Sequence, residues 1–180
     1  TTSPTSSEPF DWRRQGLRYF RRSVFYRGKF GGKVWRVSLD GGLGCPNRDG
    51  TVGVGGCIFC NPASFSPSRR AQEENAVSIA AQLDAGIEKL RRRHHVDHFV
   101  AYFQPGSNTY GPVAVLRRLY EEALAHPAVV GLAIGTRPDC VPEPVLDLLA
   151  ELAKRTWLTV EFGLQTSDDQ ALAWLNRLRD

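Results

Sequence analysis

The stretch CPNRDGTVGVGGCIFCN, Cys45 to Asn61, holds three of the chain's four cysteines in a C-x11-C-x2-C spacing. Thiolates gathered this closely suit a metal ion or a metal–sulfur cluster. The glycines between them (Gly50, Gly53, Gly55 and Gly56) let backbone approach sulfur without a Cβ in the way. A structural zinc site takes four protein ligands, which usually arrive as two pairs. Here there is one C-x2-C pair, a lone Cys45, and a fourth cysteine, Cys140, far along the chain. An iron–sulfur cube on three cysteines is the other solution, and it leaves one iron free to bind something else. Cys140 reads as a packed thiol behind the active face, since small buried cysteines are common.

The composition bounds what such a site can belong to. The 180 residues carry 42% hydrophobic and 23% charged side chains, the balance of a globular domain. No apolar run is long enough for a membrane span, and no apolar segment follows Arg21 and Arg22 to make an export signal. A cysteine cluster without a signal peptide points to metal binding in the cytoplasm rather than to a disulfide framework. Residues 1–36 carry nine Lys and Arg against Glu8 and Asp11, a net charge of +7 in a chain whose total is +4. That basic, aromatic-laced segment, WRRQGLRYFRRSVFYRGKF, is either a phosphate-binding surface or an arm packing its Phe and Tyr residues on the domain. The polar start is expected to be a flexible leader over 1–17, with the core over 18–180. The last helix lacks a C-cap glycine, which suggests truncation at the C-terminus.

The elements that must position the cysteines alternate strand and helix. KVWRVSLD places Trp35, Val37 and Leu39 on one face and Arg36, Ser38 and Asp40 on the other. A helix is expected in NAVSIAAQLDAGIEKLRRR, with Glu73 and Glu74 ahead of it. HFVAYFQ reads as a strand buried on both faces, and VVGLAIGT and LTVEFGLQT as two more. The helices PVAVLRRLYEEALAH and PEPVLDLLAELAKR lie between them, and Ser167 with Gln170 forms a capping-box pattern for a last helix. His94 and His95 close a basic helix and are expected to face solvent. Four βα units in a row imply a parallel sheet, whose chemistry gathers at the carboxyl ends of the strands. The cysteine loop, QPGSNTYG, TRPDC and QTSDD all fall there.

The cysteine block resembles the cluster loop of the YhcC-like branch of radical S-adenosylmethionine (SAM) enzymes. The Pro-Asn-Arg-Asp-Gly after Cys45, the Gly-Gly before Cys57 and Phe59 before Cys60 carry the likeness. It continues through YFQPGSNTYGP, GTRPDCVP, VEFGLQT and WLNRLRD. The resemblance implies an α/β fold, a partial (βα)6 barrel with about four βα units present. It also implies a 4Fe–4S cluster on Cys45, Cys57 and Cys60, with SAM on the fourth iron and cleavage to a 5′-deoxyadenosyl radical. By the same carry-over Phe59, Gln104, Gly106, Thr136, Arg137, Gln165 and Arg177 would meet the cofactors. A flavodoxin- or ferredoxin-type protein would supply the electron, and tRNA is the substrate class suggested by relatives in the superfamily. The alternative is a zinc- or cluster-stabilised module that binds nucleic acid or protein without catalysis.

Overall fold

The computed structural model describes residues 13, 16, 18–61, 64 and 77–178. Most of the expected leader, together with Glu73 and Glu74, lies outside the described residues. The elements run in the order α1 (Arg22–Phe30), β1 (Val34–Leu39), α2 (Ile79–His94), β2 (His98–Phe103), α3 (Val113–Leu124), β3 (Val129–Thr136), α4 (Glu143–Arg155), β4 (Trp157–Phe162) and α5 (Asp169–Trp174). A single 3-10 turn, Pro138–Cys140, follows β3.

The fold is α/β. The four strands are parallel and lie in the order β1-β2-β3-β4, each beside its neighbour in sequence. No reversal of strand order occurs among the described strands, so the sheet has no topological switch point of the doubly wound kind. The period-two pattern decides which side of the sheet each residue serves. Val37, Leu39, Phe99, Ala101, Phe103, Leu132 and Ile134 pack under α2, α3 and α4, which contribute Leu83, Ile87, Leu116, Tyr120, Val145 and Leu152 among others. All three connecting helices thus bury their stripes on one face.

The other face is covered by α1. Tyr26 packs with Val100 and Ala133, and Phe25, Phe30, Val34, Val130 and Trp157 close around them. Tyr26 meets Trp157 edge-to-face with ring centroids 5.3 Å apart, and Phe30 does the same at 6.1 Å. The helix ends at Gly31, which adopts φ 73° and donates its N–H to the Arg27 carbonyl. Of the two readings of the basic segment, the packed arm therefore holds for Phe25, Tyr26 and Phe30, while Arg21, Arg22, Arg27 and Lys29 stay exposed.

Two local expectations need correction. The last helix is capped by Asp168, whose side chain accepts from the Ala171 N–H, and not by Ser167. The carboxylate is the stronger acceptor at a helix N-terminus because it also meets the positive end of the dipole. His94 is not simply solvated: it stacks on Trp35 at 3.7 Å between ring centroids. Ser78 caps α2 by accepting from Ala81 N.

Because Tyr26 is the centre of the inner-face cluster, Tyr26→Ala should cost about 3 kcal/mol of stability. Urea unfolding followed by tryptophan fluorescence measures this, and a loss below about 1 kcal/mol would mean α1 is a surface arm after all.

Candidate functional site

The four loops at the carboxyl ends of the strands meet around one cavity of about 540 Å³. Its walls include Cys45, Cys57 and Cys60, and also Phe59, Gln104, Gly106, Thr136, Arg137, Gln165 and Arg177. Every residue that the resemblance places beside a cofactor thus borders the same space. Cys140 does not; it is buried behind the cavity, and burial first pushes its thiol up to about 11.

The long gap between Cys45 and Cys57 is folded back on itself. Val52 and Gly53 donate their N–H groups to the Pro46 carbonyl, Gly50 N–H bonds Gly53, and Asp49 pairs with Val54 in an isolated antiparallel bridge. Asp49 also accepts from Thr51 N–H at 3.0 Å, so its carboxylate fixes the turn. Gly56 N–H then bonds the Asn47 carbonyl at 2.9 Å, which returns Cys57 to the side of Cys45. At Gly56, with φ 81°, a Cβ would stand 2.6 Å from the Arg48 guanidinium. That glycine lets Arg48 fold over the loop and reach the Cys60 carbonyl at 3.5 Å.

The loop after β2 presses on the cysteine loop through a second required glycine. Gly106 has φ 83°, and a Cβ there would lie 2.8 Å from the Leu43 carbonyl oxygen. Ser107 N–H bonds the Gly44 carbonyl at 2.9 Å. Behind it, Thr109 and Thr136 hydroxyls lie 2.5 Å apart, and Thr109 donates to the Cys140 carbonyl at 2.6 Å. Asn108 donates to the Gly135 carbonyl at 2.9 Å, so the ends of β2 and β3 are tied together.

Arg137 is 3% exposed and pairs with Asp139, which is 24% exposed. It also donates to the Leu178 carbonyl at 2.6 Å. The Asp139 bond raises the guanidinium further, and the same bond holds the Asp139 carboxyl below the ordinary carboxylate range. Arg177 donates to the Gly163 carbonyl and points a second N–H at the Cys57 sulfur, 3.8 Å away. Burial raises the Cys60 thiol, against the pull of Arg48.

Sequence reasoning missed the wall formed by Tyr102 and Glu161. Glu161 accepts from Arg36 at 2.6 Å and from Tyr102 at 2.8 Å, and the Arg36 guanidinium lies 4.5 Å from the Tyr102 ring centroid. Burial and the bond to Glu161 push the Tyr102 hydroxyl up to about 12. The signal was present: a charged residue at an inward position of both β1 and β4. Asn47 and Asn176, which join distant segments, were also missed as site residues.

The cavity gathers soft sulfur ligands, N–H donors and an unpaired guanidinium N–H. Three thiols face one space, N–H donors from Asn47 and Arg177 already point at the Cys57 sulfur, and Arg137 Nη1 is buried with no hydrogen-bond partner among the described residues. Also among the described residues, no three of His, Cys, Asp or Glu are gathered tightly enough to hold a single metal ion. None of the described helices is long and apolar enough to cross a membrane.

A cysteine-lined cavity at the carboxyl edge of a parallel sheet defines the class of the site. The chain is 41% identical over 174 residues to YtqA of Bacillus subtilis, covering 97% of this chain and 53% of that protein. It is 43% identical over 155 residues to YhcC of Escherichia coli K12, covering 84% and 47%. A protein of Methanocaldococcus jannaschii is 31% identical over 167 residues, covering 92% and 50%. The chain thus spans about half the length of the curated relatives it matches. No family model matches it.

Asp139→Asn leaves a buried guanidinium without its counter-ion and should cost about 2–3 kcal/mol. The folded Asp139 has the depressed pKa, so its contribution is complete above the unfolded value of about 4 and fades as pH falls through the folded one. Denaturant titrations at pH 7 and pH 3 should therefore show a gap between wild type and variant that narrows in acid. An equal gap at both pH values would contradict the pairing.

Proposed function

We propose that the protein is a radical SAM enzyme of the YhcC-like kind, with a 4Fe–4S cluster on Cys45, Cys57 and Cys60. The single observation behind this reading is the convergence of these three thiols on one cavity with the seven other residues that the resemblance carries over. Bound there, the cluster and SAM would supply one-electron reductive cleavage of SAM and hydrogen-atom abstraction from substrate.

The chain's own residues bind, orient and shield. The loop from Gln104 to Gly106 offers backbone rather than an acidic side chain, and Gly106 lets it approach closely. Arg137, with a spare buried N–H, is suited to a carboxylate. Thr136 is fixed by Thr109, and Gln165 sits at φ 70° beside Gly163, where its amide reaches the cavity rim. Phe59 stands exposed on the cysteine loop at the cavity mouth. The apolar contacts between α1 and the inner face pack the sheet beneath the site. The sequential strand order, with three helices on one face, is what a (βα)6 barrel would begin with.

A flavodoxin- or ferredoxin-type protein is the proposed electron source, tRNA the proposed substrate and the cytoplasm the proposed compartment. The RNA reading draws on the exposed Arg21, Arg22, Arg27, Lys29 and Lys33 beside exposed Tyr19 and Phe20. Arginines interleaved with aromatics suit phosphates and stacked bases.

Anaerobic reconstitution with iron and sulfide should give a brown protein with about three to four irons per chain. Cys45→Ala, Cys57→Ala and Cys60→Ala should each abolish it, and Cys140→Ala should not. Stoichiometric zinc without acid-labile sulfide would sink the proposal and favour a non-catalytic binding module. If RNA binds along α1, replacing Arg21, Arg22 and Arg27 by Gln should flatten the salt dependence of tRNA affinity by about 0.7–0.9 log units per lost phosphate contact. A slope unchanged in that variant would count against RNA at α1.

A further inference from the structure

The cysteine loop contains a side chain that ordinary loop chemistry does not explain. Asn47 is 0% exposed, two residues after Cys45. A buried amide must find partners for its donors and its acceptor, and each one left unmade is costly. Asn47 finds all of them outside its own turn. Its Nδ2 donates to the Asn176 carbonyl at 2.5 Å and toward the Cys57 sulfur at 3.5 Å, and its Oδ1 accepts from Leu178 N–H at 3.2 Å.

The turn after α5 returns these bonds. Asn176 donates from Nδ2 to the Gly56 carbonyl at 2.8 Å and to the Val54 carbonyl at 3.2 Å. Its φ of 50° is a left-handed conformation that Asn tolerates better than most residues. Ile58 N–H bonds the Leu175 carbonyl at 3.0 Å, and Arg177 adds the second N–H aimed at the Cys57 sulfur. Two segments about 120 residues apart are therefore joined on both sides of Cys57. The bonds run to backbone carbonyls, one backbone N–H and one sulfur, so they set where the loop lies and do not merely add contact area.

We propose that Asn47 and Asn176 are positioning residues: they clasp the cysteine loop to the turn after α5, holding the Cys57 sulfur in place with N–H donors directed at it. The bonds of the clasp lie wholly within the chain's own residues. Its effect on a bound group rests on the reading that Cys57 is a cluster ligand. There, N–H donors to a ligating sulfur stabilise the more negative, reduced state and raise the reduction potential.

The first measurement uses the reduced, unloaded chain and follows alkylation of each cysteine by mass spectrometry. Asn176→Gly keeps the left-handed backbone but removes both side-chain bonds, so the fold is preserved while the clasp opens. Cys57 should then alkylate about tenfold faster, as the loss of two net hydrogen bonds allows, with Cys140 unchanged. The second measurement is the midpoint potential of the reconstituted protein. Asn47→Asp replaces the N–H at the sulfur with a carboxylate oxygen and should move the potential to more negative values, a readout that a merely structural role leaves alone. Should Asn47→Asp fail to fold, Arg177→Met removes the other donor and should shift the potential the same way. An unchanged Cys57 rate in Asn176→Gly, or an unchanged potential in the donor variant, overturns the proposal. If the wild-type chain takes up no iron and sulfide, the cluster reading fails by itself, and the alkylation arm alone decides the clasp.

Discussion

A guanidinium taken out of water must be paired, and Arg137 is almost wholly taken out. Its position at the end of β3 places it under the cavity, where Asp139 neutralises it from two residues away. One remaining N–H reaches the Leu178 carbonyl, which anchors the turn after α5 over the cysteine loop. Once Leu178 is held there, its N–H is within reach of Asn47, and Asn176 and Arg177 face the loop as well. The order of the thiols thus depends on a charge that is not itself part of the thiol set. Pro138 supports this arrangement by fixing the first residue of the short 3-10 turn that carries Asp139 back toward the guanidinium.

The two faces of the sheet divide the work. The outer face packs its large side chains under α2, α3 and α4, and α3 and α4 are tied to each other at the surface by Arg117 with Glu151 and Arg155 with Glu121. Such exposed pairs contribute little stability, so the outer layer rests on its apolar stripes. The inner face is aromatic near the start of the strands, where α1 packs, and polar near their ends, where the cavity begins. A ligand entering from the loop side would meet hydrogen-bonding groups first and find the apolar floor closed beneath them.

Much of this was legible locally. The alternation in β1 placed Val37 and Leu39 under the helices and Arg36 on the opposite, inner side, and the structure keeps that division. The unbroken apolar run of β2 and the stripes of α3 and α4 were equally readable, because each is set by the period of its own element. The cysteine spacing pointed at the cavity, and the polar strand ends pointed at its walls. What was not legible depends on partners remote in sequence. Nothing near Asn47 indicates that its amide bonds residues 176 and 178, and the choice between a phosphate-binding surface and a packed arm for the basic segment turns on Val100, Ala133 and Trp157, which lie far along the chain. The choice of Asp168 over Ser167 as a cap failed for a different reason: two adjacent residues can both cap, and the start of the helix decides between them.

The pairing of Arg36 with Glu161 also bears on the shape of the sheet. These residues lie on β1 and β4, the two outer strands, with β2 and β3 between them. At about 4.8 Å between neighbours, a flat sheet would hold those strands about 14 Å apart, and the register aligns Arg36 with Trp157, not with Glu161 further along β4. A contact of 2.6 Å between them requires the sheet to curl about its inner face. The inward positions of the intervening β3 are small, Ala133 and Gly135, which leaves the space across which Arg36, Tyr102 and Glu161 meet. The trough so formed receives α1 along its lower part and opens upward into the cavity. Curl, small residues on β3 and a cross-sheet ion pair are therefore one constraint, and it gives the thiol-bearing loops a concave floor to close over.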